Sequence, residues 1–95
     1  FHDVFGEEKS FASISEPKAH HWHGTQTVTV CAGDGSLSDG VYRGLAFESE
    51  LVLVKVSENG RISDVSIEKG LRWILENHKK YGVRLLNMSL GGDTD

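Results

Sequence analysis

Between Glu50 and Gly92 the apolar pattern changes period twice, and this stretch restricts the architecture more than any other. Glu50-Leu51-Val52-Leu53-Val54-Lys55-Val56 is a nearly continuous run of β-forming residues, the pattern of a strand covered on both faces. Ser57-Glu58-Asn59-Gly60 is a turn, after which Ser63 or Asp64 offers an N-cap. Ile67, Leu71, Ile74 and Leu75 then recur at i, i+4, i+7 and i+8, one apolar stripe of an amphipathic helix. Lys79 and Lys80 lie where the negative helix end favours cations, and Gly82 is placed as the C′ stop. Residues 83–90 form a second buried-strand run, ended by Gly91-Gly92. Strand, helix and strand joined by short links make a βαβ unit, which predicts an α/β fold with a parallel sheet and a right-handed crossover.

The rest of the chain is less sharply patterned. Ser10-Phe11-Ala12-Ser13-Ile14 alternates polar and apolar, as an edge or half-buried strand does. Residues 15–23, around the lone Pro17, read as an irregular connection, so residues 1–20 form an irregular or edge segment. In residues 25–32 the β-branched Thr27, Val28 and Val30 make local propensity favour a strand. Gly33-Asp34-Gly35-Ser36 breaks the chain and opens a surface loop to about Gly40. Residues 41–47 are short and partly apolar, with Gly44 inside them. Gly70 falls in mid-helix, where glycine costs about 1 kcal/mol relative to alanine. Two readings of it stand: sequence drift, or a close approach of the helix backbone to the sheet.

Several function classes are excluded by composition. Ninety-five residues allow one small domain or a piece of a larger one. Ten basic against fourteen acidic side chains give a formal charge of −4, without the basic stripe of a nucleic-acid binder. One cysteine, Cys31, rules out an internal disulfide framework and a cysteine-rich zinc site. No apolar run approaches the roughly 18 residues of a membrane helix, and the start lacks the basic-then-apolar pattern of a signal peptide. The chain starts at Phe1 rather than methionine, and we expect an excised or processed segment.

Three groups of residues are candidates for chemistry. His20, His21 and His23 cluster around Trp22, and imidazole suits zinc, copper or nickel. No acidic or cysteine partner sits at helical spacing from them, which favours a solvated loop over a metal site. Gly33-x-Gly35 and Gly91-Gly92 are glycine loops, but neither has the spacing or the Lys-Ser/Thr of a nucleotide cradle. The third group is His23-Gly24-Thr25, because distant parts of the chain line up with it.

After His23-Gly24-Thr25 come Tyr42-Arg43-Gly44-Leu45-Ala46-Phe47, then a strand run closing on Val54-Lys55-Val56. Next is Ile67-Glu68-Lys69-Gly70-Leu71-Arg72-Trp73, and finally Asn87-Met88-Ser89-Leu90-Gly91-Gly92. In this order and spacing the chain resembles the subtilisin-like serine peptidases, the subtilases, from about His21 to Gly92. The resemblance implies a parallel-sheet, Rossmann-like core fragment of a parent with three α/β/α layers. It also implies a buried helix over residues 25–33, against local propensity, and it favours the close-packing reading of Gly70. Departures are Gln26, where the family often has a second histidine, and Thr29, where it often has glycine. They mark a divergent branch.

By the same resemblance His23 is the general base that takes the proton of a serine nucleophile, its imidazole oriented by a buried carboxylate. Ser89, Leu90 and Gly91 pair with an extended polypeptide substrate as an added strand, and Leu90 walls the pocket before the scissile bond. No Asp-Ser/Thr-Gly motif is present, Asp3-Val4-Phe5 does not fit one, and no Gly-Thr-Ser motif supplies the nucleophile. Ser89 is not that nucleophile. We therefore expect residues 1–95 to be a central piece of a peptidase domain, inactive alone and needing the remainder of that domain. We expect no cofactor in the chain, calcium being a property the family would place in the parent. Open sheet edges should make the fragment self-associate. Two other readings are a non-catalytic subtilase-like scaffold and a metal-binding domain centred on the histidines. The compartment is not encoded here, although family habit suggests an exported parent.

Overall fold

The computed structural model describes residues 1–6 and 21–92; the edge strand expected over residues 10–14 lies outside them. Two short strands anchor the layer. β1 (His2–Asp3) and β2 (Val54–Lys55) run parallel, with His2 opposite Val54 and Asp3 opposite Lys55. The His2 amide donates to the Leu53 carbonyl at 2.8 Å and the Val4 amide to that of Lys55 at 3.0 Å. A parallel pair needs a long crossover, and α1 (Trp22–Ala32) lies within it.

Residues 25–32 are helical rather than the strand that local propensity favours, but the helix is not the buried one expected: Ala32 is its one buried residue and Val30 is 69% exposed. Two threonine hydroxyls turn back on the helix: Thr29 donates to the Thr25 carbonyl at 2.7 Å and Thr27 to that of Gly24 at 3.1 Å. That geometry satisfies their polar groups without leaving the helix. Beyond α1 the loop carries a short 3-10 turn (Ser36–Ser38) and is pinned at its base. The Gly44 amide donates to the Gly33 carbonyl at 2.8 Å and that of Ala46 to Cys31 at 2.9 Å. A Cβ on Gly44 would stand 2.6 Å from the Ala32 nitrogen, so only glycine lets the two backbones meet.

The turn expected at 57–60 is the centre of a hairpin, β3 (Ser57–Glu58) against β4 (Arg61–Ile62). It delivers the chain to α2 (Asp64–Tyr81). Ser63 is the N-cap, and its hydroxyl accepts from the Ser66 amide while the Ser66 hydroxyl accepts from the Ser63 amide, both at 3.1 Å. This reciprocal pair satisfies two of the donors a helix start leaves unpaired. At the other end Gly82 takes a left-handed conformation, and the Val83 amide closes on the His78 carbonyl at 2.8 Å.

Two strand expectations are corrected. The run at 50–56 is ladder-paired only over Val54–Lys55, and residues 83–90 form no strand among the described residues. A strand exists only through a neighbour that takes its backbone hydrogen bonds. An open cavity of about 930 Å³ is bordered by Leu51, Val52 and Leu53 of the first run and by Leu85, Leu86 and Met88 of the second. The inner side of α2, including Ile67, Gly70 and Ile74, borders it as well. The alternation β1, α1, β2, α2 around a parallel pair is nonetheless that of an α/β chain.

Candidate active site

His23 sits in the first turn of α1, solvent-exposed, with Trp22 edge-on to its ring at a centroid distance of 5.4 Å. The helix holds the ring at its N-terminal end while its later residues Val28, Cys31 and Ala32 border the cavity. At the far end of the chain Ser89, Leu90 and Gly91 are exposed, and Leu90 also borders that cavity. Cys31, a free thiol, is half-buried and borders the same cavity. Thus α1 and the segment after α2 share one cleft through Val28, Cys31 and Leu90. No hydrogen bond joins His23 to Ser89, Leu90 or Gly91 among the described residues.

Two side-chain contacts among the described residues were not anticipated from the sequence, one inside the Asn87–Gly92 motif and one between the paired strands. Asn87 donates from Nδ2 to the Ser89 hydroxyl at 2.8 Å, a local contact between two exposed residues of the same segment. Asp3 and Lys55 face each other across the parallel pair, Nζ to Oδ2 at 3.4 Å. The Asp3 side chain is fully buried, accepts from the Phe5 amide at 2.9 Å, and Lys55 also donates to the Ser57 carbonyl at 2.9 Å. Charges removed from water need such additional partners. The sequence signal was a lysine inside an apolar strand, which demands a buried anion; β1 was too short to supply its location.

His20 lies outside the described residues, and no group of three or more His, Cys, Asp or Glu side chains among the described residues converges to hold a metal. No described helix is long and apolar enough to cross a membrane.

The model of the subtilase family matches residues 2–95, nearly the whole chain. The serine protease AprX of Bacillus subtilis (strain 168) is 35% identical over 99 aligned positions that take in 96% of this chain. The chain belongs to the subtilase family. Its relatives are serine peptidases, and the ordered motifs from His23-Gly24-Thr25 to Gly91-Gly92 are the part of the sequence that announces it. The chain spans 22% of the length of AprX. No solved structure matches it significantly.

Proposed function

We propose that these residues are a central portion of a serine endopeptidase domain that contributes the general base and one wall of the substrate cleft. His23 accepts the proton of a serine hydroxyl supplied elsewhere in the parent, making that oxygen nucleophilic toward a peptide carbonyl. It then returns the proton to the leaving amine, and an acyl-enzyme is released by water through the same two transfers. Ser89, Leu90 and Gly91 align the substrate backbone as an added strand. The Asn87–Ser89 hydrogen bond at 2.8 Å stiffens that segment before substrate arrives.

The observation that carries this reading is the ordered family match over residues 2–95, which contains both the histidine motif and the cleft motif. We infer further that the remainder of the peptidase domain completes the sheet, a reading the open cavity supports. Alone, the chain lacks the carboxylate and serine of a triad motif and should not hydrolyse peptides. The test is peptide hydrolysis by the protein encoded by the complete reading frame. His23→Ala in that protein should lower kcat by a factor on the order of 10⁶ with its fold intact. Undiminished turnover in that variant, or His23-dependent turnover by residues 1–95 alone, would overturn the assignment.

A further inference from the structure

The chain holds three asparagines, and the structure treats one of them differently. Asn77 lies within α2 and donates from Nδ2 to the Trp73 carbonyl at 2.8 Å, and Asn87 is held by Ser89 at 2.8 Å. The next residues, His78 and Met88, carry side chains beside the backbone nitrogen that follows each amide. Asn59 is exposed, as Asn87 is, but differs from both others in two respects: no hydrogen bond to a described residue holds its amide, and Gly60 follows it without a Cβ. The two residues form the whole loop of the β3–β4 hairpin, with φ of 50° and 75°. Nor does the Gly60 backbone amide make a hydrogen bond among the described residues. A two-residue loop with both φ values positive is the primed turn that matches hairpin twist.

We infer that Asn59-Gly60 is a site of spontaneous covalent modification, a deamidation whose only co-reactant is water. The Gly60 nitrogen, losing its proton to solvent, attacks Cγ of Asn59; the Cγ–Nδ2 bond breaks and ammonia leaves. The resulting five-membered imide is opened by water at either carbonyl. One opening gives aspartate and the other gives a β-linked isoaspartate, and both place a new carboxylate beside Glu58. The β-linked product also inserts a methylene into the main chain. A loop whose two residues set the pairing of Glu58 with Arg61 cannot absorb it without shifting that register. The hairpin leads into the Ser63 cap of α2, so the modification acts where the helix begins. This inference is independent of the peptidase reading.

The experiment incubates the full chain at mildly alkaline pH and follows each asparagine by peptide mapping, with fragmentation that separates aspartate from isoaspartate. A synthetic peptide of residues 57–62 is incubated alongside, and Asn59→Gln serves as a control because its larger ring closes slowly. Asn59 should convert faster than Asn77 and Asn87 by roughly an order of magnitude or more, giving both products, while Asn59→Gln stays unmodified at that position. An Asn59 that stays intact while the peptide converts fully, or that converts no faster than the other two, overturns the inference.

Discussion

At the scale of single residues, buried charge and turn chemistry carry the sharpest expectations. Asp3 is fully buried beside Lys55, and breaking a buried pair on one side is costly. In the complete protein Lys55→Met should lower unfolding stability by about 3 kcal/mol, and Asp3→Leu/Lys55→Met should recover most of that loss. Denaturant unfolding of the wild type and the variants measures both. Asp34 is a milder case at the mouth of the loop after α1. The Ser36 backbone amide, at 2.9 Å, and then the Ser36 side chain hold its carboxyl below the ordinary carboxylate value. A depressed folded value means the carboxylate favours the closed turn above the unfolded value, and that preference fades as pH falls through the lower, folded one. The Ser36 amide resonance should therefore titrate with a midpoint below the ordinary carboxylate value. A midpoint at the ordinary carboxylate value would contradict the bond.

At the scale of elements, legibility followed whether an element is completed by its own residues. α2 was readable because its stripe, its Ser63 cap and its Gly82 stop all lie within one stretch. Ser63→Ala should cost about 1 kcal/mol of that helix's stability, seen as fraying of the first turn in amide exchange. Gly70 is buried, and a Cβ there would stand 2.7 Å from Val56 Cγ1, so the close-approach reading has a structural cause. Gly70→Ala should lower the melting temperature despite a propensity gain of about 1 kcal/mol, whereas Lys69→Ala on the exposed face should not. The strands were less legible, because pairing is a property of two segments. Residues 83–90 carry the composition of a strand, but no neighbouring backbone among those described satisfies it. α1 misled propensity for the opposite reason: threonine hydroxyls that bond back to Gly24 and Thr25 make a β-branched run tolerable as helix. Only the order of motifs along the chain pointed to that helix.

At the scale of the whole molecule, the apolar surface is unfinished. Leu75 is 73% exposed and Leu85 92% exposed, although both belong to runs that read as core. Burial of such side chains stabilises by roughly 1.5–3 kcal/mol each, so residues 1–95 alone should associate into dimers or larger species in sedimentation, where a compact monomer would count against an open face. For the candidate site, motif order proposed His23 and the segment 89–91, while the hydrogen bond from Asn87 to Ser89 needed coordinates. The most direct test of the central claim is a crystal structure of the complete peptidase domain bound to a peptide-like inhibitor. The account predicts an inhibitor backbone laid along Ser89–Gly91 with the His23 imidazole within hydrogen-bond reach of the serine that attacks it. An inhibitor bound elsewhere, with His23 and Ser89–Gly91 on opposite surfaces, would contradict it.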